Sequence, residues 1–212
     1  TDDRSGDEEP GHHREREGNL SAHEGKKYKH ESERAPHEQH RSSHRGGVVG
    51  FRLERGRVDR LKSLAHDSGA TLYMTLLATF DVLLMRYSGQ SDVAVGTPIA
   101  GRNSAGVEEL IGYFVNTLVM RTDLAGDPGF DELLARVRGT CLGAYAHQDV
   151  PFEMLVQQVA PERTLDRNPL FQVSFALQNM PHHELAIGTV PTRLEPVHTD
   201  TSKFDLSLTM TE

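Results

Sequence analysis

The sequence predicts an α/β layered domain that follows a disordered polar leader. Apolar residues recur at helical spacing in some segments, alternate with period two in others, and are almost absent from the first 46 residues. Helices placed between several strands are typical of layered α/β domains. A chain of 212 residues can bury a sizeable core even without that leader.

The leader, residues 1–46, contains only four apolar residues but seven of the twelve histidines. Ordering the backbone costs roughly 1–2 kcal/mol per residue, and so little apolar surface cannot offset that cost. We therefore expect residues 1–46 to be disordered and the folded domain to occupy residues 47–212.

Four segments have the apolar spacing of helices, namely residues 57–69, 71–89, 129–148 and 151–160. The second is apolar around most of its circumference, so we expect it to be buried on more than one side, with Leu83 and Tyr87 in its apolar set. Thr71 suits its N-cap and Gly89 its end. Pro151 is placed to open the fourth helix, where its missing N–H would have no partner anyway.

Five segments have the composition or alternation of strands, namely residues 47–53, 92–101, 113–122, 170–178 and 203–212. The last is expected to place Phe204, Leu206, Leu208 and Met210 on one face. It runs to Glu212 with no closing element after it. This pattern predicts either a sheet edge or a domain that is truncated at its C-terminal end.

Composition argues against several functional classes. The net charge is −8 with a pI near 5.8, and basic residues are scattered among acids, so we expect no nucleic-acid partner. No apolar run approaches the roughly 18 residues that span a bilayer, and the first residues contain no apolar stretch of the kind that a secretory signal requires, so we expect no membrane partner and a cytoplasmic location. A single cysteine excludes an internal disulfide framework.

Five segments, in this order and spacing, resemble condensation domains of non-ribosomal peptide synthetases. They are "YSGQSDVAVGTPIAGR" (87–102), "IGYFVNTLVMR" (111–121), "AHQDVPFE" (146–153), "ERTLDRNPLFQVSF" (162–175) and "KFDLSLTMTE" (203–212). Five segments in sequence are far more specific than one short motif. The resemblance covers roughly residues 41 to 212 and corresponds to the C-terminal lobe of that family.

The resemblance implies a chloramphenicol-acetyltransferase-like layered fold, in which two lobes form a V around a tunnel. It also implies the reaction. Two carrier proteins deliver an aminoacyl and a peptidyl thioester on phosphopantetheine arms, and the amine of one attacks the thioester of the other. Neither a metal nor a nucleotide is implied as a bound cofactor. The partners implied are the peptidyl and aminoacyl carrier proteins and the adjoining synthetase domains.

The family's central motif, HHxxxDG, is matched in the leader by "HHREREG". His12, His13 and Gly18 fit that motif, while Glu17 stands where the family has Asp. The flanking residues are polar, and a general base needs a shaped, partly dry pocket. We therefore interpret the match as chance, expect the N-terminal lobe to be missing and the chain to be inactive alone, and assign His13 a catalytic role only if the match is genuine. The leader histidines have no fixed scaffold, so no metal site is expected.

Five residues of the folded part are candidates for chemistry. His147 and Asp149 lie two apart and form a candidate catalytic pair, but an acid just ahead of a helix also suits the positive end of its dipole, and we favour that structural interpretation. The resemblance places their segment near the lobe interface, without a role in proton transfer, so both are also candidates for the tunnel or lobe interface. Asn116 and Asn168 are polar in apolar contexts, so we expect each to satisfy backbone groups or to line the tunnel or lobe interface. Cys141 lies on the apolar stripe of its helix and is expected in the core.

Other functions are compatible with the same segments. One alternative is a non-catalytic module that docks a carrier protein or the missing lobe. Another is an acyltransferase of the same fold that uses free coenzyme A, although the DFGWG-like segment of that family is not found here. Epimerisation and cyclisation variants share the architecture, but "HQDVPFE" and "NPLFQVSF" look more like ordinary condensation domains.

Overall fold

The computed structural model describes residues 44–102, 106–107, 110–159, 167–178, 186–187, 190–192, 197 and 199–212. All of them belong to one compact unit, Arg41–Glu212. The predicted disorder of the leader falls on residues that, apart from His44, Arg45 and Gly46, lie outside the described part. The backbone of those three residues pairs with the segment around Thr201: the Gly46 N–H donates to the carbonyl of Asp200.

The described elements follow one another as mixed helices and strands. In chain order they are α1 (Arg55–Asp67), α2 (Leu72–Ser88), β1 (Asp92–Ile99), β2 (Asn116–Asp123), α3 (Phe130–Ala146), α4 (Phe152–Val159), β3 (Val173–Gln178), β4 (Ala186–Ile187), β5 (Val190–Pro191) and β6 (Leu206–Thr211). The predicted α/β class is therefore confirmed. The short hairpin β4–β5 was not predicted, because strands of two residues are too short to alternate.

The main sheet has the strand order β2-β1-β3-β6. β1 pairs antiparallel with β2, while β1, β3 and β6 run parallel. Parallel neighbours need long crossover connections, and α3 and α4 lie between β2 and β3 along the chain. The end of β1 lies beside the start of β2, since Ile99 pairs with Asn116.

The hydrophobic core lies between one face of this sheet and helices α2 and α3. Val95, Met120 and Phe175 face the helices and are fully buried. The Phe175 ring stacks on that of Tyr73, with 5.2 Å between centroids. Such pairs contribute about 0.5–1.5 kcal/mol beyond their buried area.

Local sequence sets both ends of α2 as predicted. The Thr71 hydroxyl oxygen accepts a hydrogen bond from the Met74 N–H at 3.2 Å, which satisfies one orphan donor of the first turn. Gly89 follows the helix with φ +72°, a left-handed conformation that costs glycine little, and its N–H donates to the Met85 carbonyl.

Three expectations about individual segments are wrong. Residues 47–53 form no strand, and Val49 is 89% exposed, because no described neighbour pairs with this backbone. Leu83 and Tyr87 are exposed, because the buried residues of α2 lie between Met74 and Asp81, ahead of both. Phe204 precedes β6, which begins at Leu206, and its ring stacks on that of Phe171, whereas Leu208 and Met210 pack against the hydrophobic core.

Hydropathy along the helices bears on membrane contact. Within the described part of the chain, no single helix is both long and apolar enough to cross a membrane. α1 and α2 satisfy that test only when they are joined, and they are bent by 104° at the break between them.

Candidate functional site

The side chain of Asn116, at the start of β2, makes four hydrogen bonds. Its Nδ2 donates to the carbonyls of Gln148, at 2.8 Å, and Val150, at 2.9 Å. Its Oδ1 accepts from the N–H groups of Thr117, at 2.8 Å, and Phe152, at 3.1 Å. The side chain thus fixes the turn after α3 and also caps the first N–H of α4, which has no partner inside that helix.

His147 ends α3 and is bound to its own helix. Its Nδ1 lies 2.9 Å from the Gly143 carbonyl, an acceptor, so the proton of a neutral ring is on Nδ1 and the lone pair on Nε2. His147 and Asp149 are both exposed, and within the described residues no hydrogen bond joins their side chains. The described contacts therefore orient the imidazole through Gly143 and not through the carboxylate.

Pro151 lies immediately before α4. Its carbonyl accepts from the N–H groups of Met154 and Leu155, so it is the residue that starts the helical hydrogen-bond ladder. The predicted opening of a helix at this proline is confirmed to within one residue. Asp149 precedes it in the turn, on the side where the helix dipole favours negative charge.

Asn168 joins two loops on the other side of the site. Its Nδ2 donates to the Lys203 carbonyl at 3.0 Å, and its own carbonyl accepts from Gln172 Nε2 at 2.7 Å. The loop ahead of β3 is thereby held to the loop ahead of β6. Asn116 and Asn168 both satisfy backbone groups, and their assignment to a tunnel or lobe interface stays a prediction.

Three phenylalanines form an aromatic row on the sheet face opposite α2 and α3. The Phe171 ring lies 5.6 Å from that of Phe152 and 5.5 Å from that of Phe204. It covers Gly96, whose neighbours Val95 and Thr97 face the helices. Sequence reasoning missed this row, although a glycine inside a strand signals a close approach from another group.

The row brings together segments that are far apart in sequence. Phe152, Phe171 and Phe204 come from "VPFE", "NPLFQ" and "KFDLS", and Gly96 comes from "AVGTP". Asn116, from "FVNT", binds the backbone of Phe152 directly. All five segments that resemble one family therefore meet at one place, which we call the motif junction.

The fit between Gly96 and Phe171 gives a stability prediction. A Cβ on Gly96 would lie 2.1 Å from the Phe171 ring, so Gly96→Ala must displace that ring and should cost about 1–3 kcal/mol in free energy of unfolding. Gly139→Ala is the matched control, because Gly139 lies inside α3 with nothing near its Cβ position, and should stabilise by about 0.5–1 kcal/mol. Urea unfolding would measure both, and equal effects would contradict the packing described.

An arginine organises the loop between β1 and β2. Arg102 Nη1 donates to the Leu110 carbonyl at 2.9 Å, and its Cζ lies 4.5 Å from the centroid of the Phe114 ring. Although the loop is fastened in this way, it holds two large side chains in solvent. Ile111 and Tyr113 are 105% and 89% exposed. We call residues 110–115 the apolar loop.

Burial keeps two ionisable side chains of α3 in their neutral forms. Burial raises the pKa of the Cys141 thiol to about 12 and that of Tyr145 to about 12. Cys141 is fully buried and therefore a thiol, which agrees with its prediction as a core residue and makes it a poor nucleophile.

The remaining predicted site residues fall outside the described part of the chain. His12, His13, Glu17 and Gly18 all precede residue 44, so the structure gives no placement for "HHREREG". Among the described residues, no group of three or more His, Cys, Asp or Glu side chains is arranged to hold a metal ion.

Comparison with known proteins identifies the family of this arrangement. A family model described as "Condensation domain" matches residues 30–212. One of the linear gramicidin synthase proteins of Brevibacillus parabrevis is 52% identical over 173 residues, which cover 80% of this chain and 2% of that protein. One of the plipastatin synthase proteins of Bacillus subtilis is 47% identical over 167 residues, covering 79% of this chain and 5% of that protein.

Solved structures agree with the sequence relatives. The crystal structure of the X-domain from teicoplanin biosynthesis has a TM-score of 0.73 at 32% identity and is matched over 80% of this chain and 38% of its own. A four-domain nonribosomal peptide synthetase bound to AMP and glycine has a TM-score of 0.71 at 27% identity, over 80% of this chain and 14% of its own. The chain spans only a small part of these proteins. The motif junction, the fold and these likenesses together show that the chain belongs to the condensation-domain family.

Proposed function

We propose that residues 41–212 are the C-terminal lobe of a condensation domain in a non-ribosomal peptide synthetase. In this proposal the lobe supplies one wall of the tunnel in which an amide bond forms. The observation that carries the proposal is the motif junction, since five separate segments typical of the family meet there through Asn116 and Phe171.

The reaction joins two substrates held as thioesters on phosphopantetheine arms of carrier proteins. The amine of the aminoacyl group attacks the carbonyl carbon of the upstream thioester. The C–N bond forms, the C–S bond breaks, and the released thiol takes up the proton that the amine loses. Positioning the two reactants can contribute about 7–11 kcal/mol to such a step.

The described residues of this lobe have positioning roles in this proposal. Asn116 and Asn168 hold the loops at the motif junction, and His147 and Asp149 lie in the turn that Asn116 clamps. We place these four residues at the tunnel wall or lobe interface and assign none of them proton transfer. We further propose that His13 has no catalytic role.

A second candidate function is a module that docks a carrier protein or the missing lobe without catalysis. It is favoured by the likeness to the X-domain, one structure of which is a complex with OxyB, and by the exposed Ile111 and Tyr113. Exposed apolar side chains held by a fixed loop are typical of interaction surfaces.

Titration with carrier proteins separates the two functions. One wall of a tunnel offers an incomplete site, so the lobe alone should give no saturable binding of aminoacylated carrier below about 100 µM. The measurement is fluorescence anisotropy of a labelled carrier, with the carrier that lacks phosphopantetheine as control. Saturable micromolar binding without turnover would contradict the first function and support the binding module.

A further inference from the structure

A carboxyl group lies in the middle of the core. Asp81 of α2 is fully buried, and within the described part of the chain neither of its carboxyl oxygens has a hydrogen-bond partner. The hydroxyl of Thr122, on β2, is the polar group beside it; it is also buried and lies near enough to favour the ionised carboxyl, but the two groups do not have the geometry of a hydrogen bond. Buried polar groups in folded proteins almost always have partners, so this pair is unusual.

The groups around Asp81 do not neutralise it. α3 contributes the thiol of Cys141 and, next to that thiol, the phenol of Tyr145; α2 itself contributes Tyr73. The Tyr73 hydroxyl is bound to Thr97 of β1 at 2.6 Å. No basic group among the described residues acts on the Asp81 carboxyl.

The environment therefore favours the neutral acid. Burial raises the pKa of Asp81 to about 7, and the Thr122 hydroxyl offsets that effect only in part. The same carboxyl in water would have a pKa of about 3.9. A proton is consequently bound in the closed core across a pH range in which the open state would have lost it.

We propose that Asp81 is a pH-sensitive latch between α2, α3 and β2, closed while its carboxyl carries a proton and released to local opening when that proton passes to solvent. The latch is independent of the proposed function, since it uses no residue of the motif junction.

The direction of the effect follows from linkage. The open state has the lower pKa, so opening becomes easier as the pH rises from about 4 and levels off above about 7. Between about pH 5 and about pH 8 the opening equilibrium constant should increase roughly 100-fold. An acid whose folded-state pKa is depressed has the opposite effect, since it makes opening harder as the pH rises.

Cys141 reports this opening directly. It is the only cysteine of the chain, it is fully buried, and it lies in the same part of the core as Asp81. A disulfide reagent that reacts with thiols in mild acid, such as 4,4′-dithiodipyridine, labels Cys141 only when the core opens. The labelling rate of the 212-residue chain divided by that of Asp81→Asn at the same pH removes the intrinsic pH dependence of the thiol.

We expect this ratio to rise roughly 100-fold between about pH 5 and about pH 8. Asp67→Asn, which removes an exposed carboxylate at the end of α1, should follow the wild type. Thr122→Val should move the rise to higher pH, because Thr122 supplies the one hydroxyl among the described residues that lowers the pKa of Asp81. A ratio that stays constant across this range overturns the latch. If Asp81→Asn does not fold, the labelling rates of the wild type and of Thr122→Val are each divided by the rate of the urea-unfolded chain at the same pH. A rise in this ratio at the same pH in both proteins then overturns the latch as well.

Discussion

A protein of these 212 residues should associate with itself through the apolar loop as its concentration rises. Ile111 and Tyr113 are almost wholly exposed, and fully burying a large apolar side chain contributes about 1.5–3 kcal/mol. The double change Ile111→Ser with Tyr113→Ser should therefore weaken association by at least about tenfold in dissociation constant, or about 1.4 kcal/mol. Sedimentation velocity over a concentration series measures that constant.

The control tests whether the apolar loop is the surface responsible. Tyr87, at the end of α2, is 88% exposed and so offers nearly the same area as Tyr113 in a different element. Tyr87→Ser should leave the dissociation constant unchanged within about twofold. An equal loss from Tyr87→Ser, or a wild-type chain that remains monomeric throughout, would show that the apolar loop has no special part in association.

The same chain, supplied with loaded donor and acceptor carriers, should form no dipeptidyl-carrier product above background. The reaction needs two thioesters held in line, and these residues match 38% of the X-domain chain. Asn116 is already committed to backbone groups, and His147 is exposed at the end of α3. Product analysis by mass spectrometry of the carriers checks this. Product that disappears in His13→Ala would contradict both the inactivity and the chance interpretation of "HHREREG".

The features that the sequence predicts well are those set by neighbouring residues. Thr71 and Gly89 mark the two ends of α2. The N-cap depends on the hydroxyl of Thr71 and the C-cap on the left-handed φ of Gly89, and each acts within one turn of the helix. Cys141 lies in the core because it follows the buried Val137 by four residues. The five segments that resemble condensation domains likewise predict the family, because their order and spacing can be seen in the sequence without the fold.

The features that the sequence does not predict depend on contacts made across the fold. The segment 47–53 has strand composition, but a strand needs a paired backbone, which no described neighbour supplies. The aromatic row depends on Phe171 crossing over Gly96, and two of its members, Phe152 and Phe204, lie 52 residues apart. Asp81 follows Leu77 by four residues and so lies on the same buried face of α2. A pattern of apolar residues does not predict that an acid is buried there.

The central claim is that residues 41–212 act as the C-terminal lobe of a condensation domain. The most direct test places these residues in the linear gramicidin synthase protein of Brevibacillus parabrevis, in exchange for the 173-residue region that is 52% identical. With the rest of that synthase present, we predict that the chimera forms peptide product while the 212-residue chain alone forms none. A chimera that folds, loads its carriers normally and still forms no peptide bond would contradict the claim.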